Sequence, residues 1–212
     1  AYAPVLTWLR SAPIYKKLST GEPIWLTEVA RLLPELLTAQ PHLPPPGAMT
    51  TGWQRQRFFE ALARTLLHQQ GPLLLLIDDL QWCDRDTLEW VRYFVHFAQE
   101  HMTKASRQAP LGHGRLLLLG TVRSEELRDN HPLHSLLLAL RRDDQLTEVA
   151  LGPLNAAETA ALATVVTGQT LTPEQSTALY QETEGNPLFV VETVRADMAR
   201  LGLIFARMLA GL

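Results

Sequence analysis

The chain has 212 residues, 19 basic and 22 acidic, and its formal net charge is −3. With 46% hydrophobic residues it can bury the core of one domain and part of a second, and its evenly spread charge excludes a basic nucleic-acid tract and an acidic disordered tail. The longest apolar runs, Leu73 to Ile77 and Leu116 to Leu119, fall far short of the about 20 residues that span a bilayer, and no secretion signal opens the sequence. A cytoplasmic protein with no membrane partner and no direct nucleic-acid contact is expected. The single cysteine, Cys83, excludes an internal disulfide and a multi-cysteine metal cluster.

Residues 1–39 have helix-like apolar spacing broken by Pro13, Gly21, Pro23 and Pro34, which predicts two or three short helices. Pro41 to Gly47 forms an irregular connector. From Trp53, the apolar face Phe58, Phe59, Leu62, Leu66 and Leu67 predicts a helix that stops at Gly71-Pro72. Leu73 to Ile77 then reads as a strand buried on both faces of a parallel sheet, with Asp78 and Asp79 at its carboxyl end. Asp86 and Glu89 have capping-box spacing, and the helix they open runs towards His101, with Lys104 to Gly114 as a polar loop. A second strand is predicted over Arg115 to Val122, then a short helical turn from Ser124. A helix from Pro132 follows, with Leu133, Leu136, Leu137 and Leu140 inward, and then a third strand, Leu146 to Leu151.

After Gly152-Pro153 only helices are expected. Asn155 with Glu158 and Thr172 with Gln175 are capping boxes, Gly168 and Gly185 are helix stops, and Asn186-Pro187 starts a helix ending near Gly202. The fold class is therefore α/β, a parallel sheet with flanking helices over residues 1–151, followed by a small all-helical domain over 152–212.

Two carboxylates at the end of a buried strand suit nucleotide chemistry. One can hold magnesium through its water shell, and its neighbour can orient the attacking water. The same acids also suit a plainer role, ending the strand and capping the next loop. Arg123, directly after the second strand, is placed to sense a terminal phosphate, or to pair with Glu125 or Glu126 at the surface. Gly185-Asn186-Pro187 is sufficiently explained as a helix stop followed by a helix start. His131 and His134 lack a carboxylate or cysteine to complete a ligand set, and Cys83 is structural rather than nucleophilic.

Asp78-Asp79-Leu-Gln-Trp82-Cys-Asp84 resembles the Walker B segment of the STAND class of P-loop NTPases. These are the AAA-like ATPase modules of large LuxR-type transcription regulators, of bacterial transcriptional activators, and of cyclase- and kinase-linked regulators. Gly120-Thr-Val-Arg123 resembles the sensor 1 segment, Leu151-Gly-Pro-Leu154 the passage into the helical lid, Gly185-Asn-Pro187-Leu-Phe the lid's Gly-x-Pro motif, and Tyr2-Ala-Pro4 a Tyr-x-Pro stretch downstream of the phosphate loop. The likeness covers nearly residues 1–195 in family order and fades over the apolar tail Leu201 to Leu212.

The resemblance implies catalytic roles for Asp78, Asp79 and Arg123. Asp78 would be the magnesium-associated acid, Asp79 the acid that positions water, and Arg123 the phosphate sensor. Gly185 and Pro187 would lie on the nucleotide's adenine side, Trp82 would pack, and Asp84 would cap a helix. The cofactors implied are ATP and Mg2+, bound between the α/β domain and the lid. The partners implied are ATP, other domains of the parent chain and, on activation, further copies of itself.

A phosphate loop needs Gly-x-x-x-x-Gly-Lys-Ser/Thr, so that glycine amides wrap the phosphates and the lysine reaches the β and γ oxygens. The 212 residues hold three lysines, Lys16, Lys17 and Lys104, and none follows a glycine. The resemblance places that loop and the first two strands upstream of Ala1, so the chain is expected to be a fragment of a signal-transduction ATPase. Its last strand would then either shift inward to pair or face a gap. The alternative is a non-catalytic, degenerate NTPase scaffold that acts as a protein-interaction module.

Overall fold

Proline and glycine break the first forty residues into short pieces, because proline lacks a donor N–H and suits only a helix's first turn. Helices α1 (Ala3–Arg10), α2 (Ala12–Tyr15), α3 (Pro23–Val29) and α4 (Glu35–Ala39) result, with a 3-10 stretch over Lys16–Thr20. That is four α-helices where two or three were expected, because Ser11 and Glu22 each interrupt the chain with extended backbone before a proline-led turn. The computed structural model describes residues 1–68, 71–108, 116–127 and 132–196. It is mixed α/β, mostly helical, and divides into two compact units, Ala1–Thr147 and Glu148–Leu212. The division thus falls a few residues before the expected boundary at 152.

The core of the first unit is built on two long helices, α5 (Gly52–Leu67) and α6 (Arg85–Gln108). Helix α5 buries Phe58, Phe59, Leu62 and Leu66, and α6 buries Leu88, Trp90, Val91, Phe94 and Phe97. An aromatic pair joins them, with Tyr93 of α6 tilted against Phe59 of α5 at 5.6 Å between centroids, and within α6 Trp90 stacks on Phe94 at 4.9 Å. The indole N–H of Trp90 donates to the Phe59 carbonyl at 3.2 Å, so the largest buried side chain leaves no polar atom unmet. Helix α6 extends through Gln108, past the predicted end at His101. Residues 102–108 contain no glycine or proline and include the good helix formers Lys104, Ala105 and Gln108.

A buried carboxylate fixes α3. Glu28, 7% exposed, lies 2.7 Å from Arg31 Nε and 3.3 Å from Arg57 Nε on α5. Arg31 in turn donates to the Gly47 carbonyl at 2.7 Å, which anchors the proline-rich connector.

Strands β1 (Leu73–Ile77) and β2 (Leu116–Gly120) pair in parallel, with Leu73 opposite Leu116 and Ile77 opposite Gly120. The expectation of strands buried on both faces is corrected. Leu75 and Ile77 enter the core, whereas Leu74, Leu76, Leu117 and Leu119 are 49–61% exposed. Helices cover one face, and among the described residues nothing covers the other. Trp8 of α1 donates its indole N–H to the Leu76 carbonyl at 3.2 Å. The Ile77 carbonyl accepts from Thr121 on the β2 side, and successive carbonyls alternate in direction, so the Trp8 bond lies on the opposite edge of β1.

The predicted third strand is also corrected. Residues 146–151 are irregular, with Val149 and Leu151 78% and 92% exposed. A strand needs a neighbour for its backbone groups, and the described residues offer none at this position. Arg115, the expected start of the second strand, lies outside the described residues, as do His131, Gly202 and the apolar tail. Helix α7 (Pro132–Arg142) buries Leu133, Leu136, Leu137 and Leu140 as predicted. Among the described residues no helix is long and apolar enough to cross a membrane.

The second unit contains α8 (Ala156–Thr167), α9 (Pro173–Thr183) and α10 (187–196) around Ala163, Leu179, Val190 and Val194. The capping boxes at Asn155/Glu158 and Thr172/Gln175 form as expected. Gly185 follows α9 at φ +74°, where the chain returns against Leu154, whose N–H donates to the Gly185 carbonyl at 2.8 Å. A methyl group at position 185 would collide with the Leu154 carbonyl oxygen. Gly185→Ala is therefore expected to destabilise the second unit by roughly 2 kcal/mol or more, combining left-handed strain with the clash. Hydrogen exchange resolved by residue should show faster exchange over 156–196, with the α5 and α6 amides unchanged.

Candidate functional site

The register of the two strands places the ends of β1 and β2 side by side, and Thr121 locks them. Its N–H donates to the Ile77 carbonyl at 3.0 Å, and its own carbonyl accepts from the Leu80 N–H at 2.9 Å. Its hydroxyl donates to Asp78 Oδ1 at 2.5 Å and accepts from the Asp79 N–H at 2.8 Å. One side chain thus holds both acids of the pair. Asp79 adopts the left-handed conformation, φ 54° and ψ 56°, which an aspartate tolerates better than most residues. That turn sends Leu80–Trp82 into a 3-10 turn, with Leu80 against Gly120, where any side chain at 120 would collide with it.

Gln81 is buried at 5% exposure inside this turn. Its amide Nε2 donates to Asp79 Oδ1 at 2.8 Å, and its Oε1 accepts from the Arg123 N–H at 3.4 Å, so one carboxamide ties the acid to the segment after β2. The Arg123 Nε lies 3.6 Å from Asp79 Oδ1, and its Nη1 lies 3.9 Å from Glu126 Oε1. Both pairs are solvent-exposed and contribute little stability, which leaves the guanidinium available to a stronger anion. The expected surface pairing with Glu126 and the expected position near the acids therefore hold together.

Asp78, Asp79 and Arg123 are thus brought to one edge of one unit. Gly185 and Pro187 belong to the other unit: Gly185 is held against Leu154, and Pro187 is exposed at the start of α10, where Asn186 Oδ1 accepts from the Leu188 N–H at 3.0 Å. Thr121 and Gln81 were missed by sequence reasoning. The available signal was a hydroxyl residue directly after the glycine that ends a strand, and an amide two positions after the acid pair. Trp82, expected to pack, is 73% exposed, because the 3-10 turn directs Leu80 and Gln81 inward and leaves the indole outside.

Asp84 caps α6. Its Oδ1 accepts from the Thr87 N–H at 2.9 Å, and its Oδ2 accepts from the Thr87 hydroxyl at 2.6 Å and the Tyr2 N–H at 3.2 Å. Asp86 and Glu89 do not form the predicted capping box, because α6 starts at Arg85 and Asp86 lies inside its first turn, where both acids pair with Arg55 at 2.5 and 2.9 Å. Partial burial pushes the Asp84 carboxyl up, but the Thr87 and Tyr2 hydrogen bonds outweigh it and hold the group below its ordinary value. Burial, then the neighbouring Asp84, pushes the Cys83 thiol up, which argues against a thiolate nucleophile.

Among the described residues no group of three or more His, Cys, Asp and Glu side chains converges as a metal site. The Asp78 carboxylate still fits magnesium, which keeps several waters and takes one or two protein carboxylates beside substrate phosphates. Among the described residues, Asp78 Oδ2 has no hydrogen-bond partner. No family model, no curated protein and no solved structure matches the chain.

Thr121→Val keeps the shape and removes the hydroxyl. It is expected to cost about 1–2 kcal/mol in urea unfolding, with Thr121→Ser retaining most of the stability. The depressed Asp84 carboxyl contributes stability that is present above its unfolded pKa and lost as pH falls through the lower folded one. The difference in urea midpoint between wild type and Asp84→Asn should therefore be largest near neutral pH and shrink as pH drops below about 4.

Proposed function

We propose that the chain is the core of a STAND-class, AAA-like signal-transduction ATPase, in which nucleotide state switches an output domain of a transcription regulator. The observation that carries this reading is the shared strand edge. Two adjacent parallel strands end in an acid pair and an arginine, with Arg123 Nε 3.6 Å from Asp79 Oδ1. Nucleotides bind at the carboxyl edge of parallel sheets, and the order of motifs from Tyr2 to Phe189 supports this class over other parallel-sheet folds.

In this reading Asp78 holds magnesium through water, and the ion, when bound, neutralises charge on the phosphates. Asp79, oriented by Gln81, aligns the attacking water, and Arg123 exchanges its weak exposed pairs for the terminal phosphate. Gly185 and Pro187 serve the adenine side. Thr121 is a positioning residue, fixing the carboxylate of Asp78. A P-loop fold, cytoplasmic location, contacts with further domains of the parent and self-association on activation all belong to the same proposal.

The 212 residues supply no phosphate loop, and that single fact favours the second reading, a scaffold that binds partners without turnover. Calorimetric titration separates the two. Magnesium-ATP should bind this chain weakly, with Kd above about 1 mM, and tightly once a glycine-rich lysine segment precedes it. In that longer protein Asp78→Asn should abolish hydrolysis while leaving ATP bound. Tight binding by the 212 residues alone, or unchanged turnover in Asp78→Asn, would overturn the assignment.

A further inference from the structure

A cavity of about 680 Å³ opens between α5, α6 and α7, with no residue in common with the strand edge that bears Asp78, Asp79 and Arg123. Its volume suits a small organic ligand. Phe59, Tyr93 and Leu140 contribute apolar surface, and the two rings pack against each other at 5.6 Å.

The basic side chains at its wall differ in what already holds them. Arg55 is held by Asp86 and Glu89 and lies over the Phe59 ring, 5.2 Å from its centroid. Arg142 pairs with Asp143 at 3.2 Å, and His96 approaches Glu100 at 3.5 Å. Arg92 is different: it is exposed, lies one helical turn before His96, and has no carboxylate within ion-pair distance among the described residues. A guanidinium offers a planar fork of donors that matches a carboxylate at two points. Burial, followed by Glu60, pushes the Tyr93 phenol up to about 12, so at neutral pH this ring adds no negative charge to the wall.

A site with one uncompensated cation beside an aromatic wall selects a single negative charge on a flat apolar body. Dianions gain little there, because Arg55 and Arg142 already carry acidic partners and Glu89 and Asp143 line the same space. We infer that the α5–α6–α7 cavity binds small aromatic or apolar monocarboxylates, with Arg92 taking the carboxylate and Phe59, Tyr93 and Leu140 taking the body.

The probe is 1-naphthoate, with 1-naphthalenemethanol as its uncharged counterpart, titrated against the full 212-residue chain by saturation-transfer NMR and fluorescence. Naphthoate should bind saturably with Kd below about 1 mM, and the alcohol at least about tenfold more weakly. Arg92→Gln, at an exposed position where folding is preserved, should weaken naphthoate about tenfold and leave the alcohol unchanged. Ala139→Glu adds a carboxylate on the α7 wall and should weaken naphthoate as well. Absence of saturable naphthoate binding, equal affinity for acid and alcohol, or full affinity in Arg92→Gln would each overturn the inference.

Discussion

The parallel register of β1 against β2 is the constraint on which the candidate site depends. With Ile77 opposite Gly120, the first residues beyond each strand are Asp78 and Thr121, and they meet through a 2.5 Å hydrogen bond. A slip of one residue would remove the hydroxyl from Asp78, the Thr121 carbonyl from Leu80 and the Gly120 hollow from the Leu80 side chain, all at once. No single contact among these is strong, since each net hydrogen bond contributes about 1 kcal/mol. Their concentration at one register position is what fixes the loop.

Much of this edge was legible in the sequence, for a physical reason. An apolar run that ends in charge marks where a strand leaves the core, so the positions of Asp78, Asp79 and Arg123 followed from hydropathy alone. The helix starts at Asn155 and Thr172 were legible too, because a capping box is a local bond between residues three apart. Asp86 and Glu89 have the same spacing and do not cap, because Asp84, two residues earlier, takes the cap and leaves Asp86 inside the first turn. Spacing alone does not say which of two nearby acids caps a helix.

The strand faces were illegible for a related reason. Leu73 to Ile77 is apolar throughout, which fits burial on two faces, but whether a face is covered depends on elements elsewhere in the chain. The third strand failed on the same ground, since pairing belongs to two segments and not to one. Gln81 was hidden by its type: a buried amide reads as a surface residue until its partners, the Asp79 carboxylate and the Arg123 N–H, are in view.

The indole of Trp8 on the Leu76 carbonyl has a consequence for assembly. It takes one carbonyl on the outer edge of β1, so a strand added there must displace that bond or pair around it.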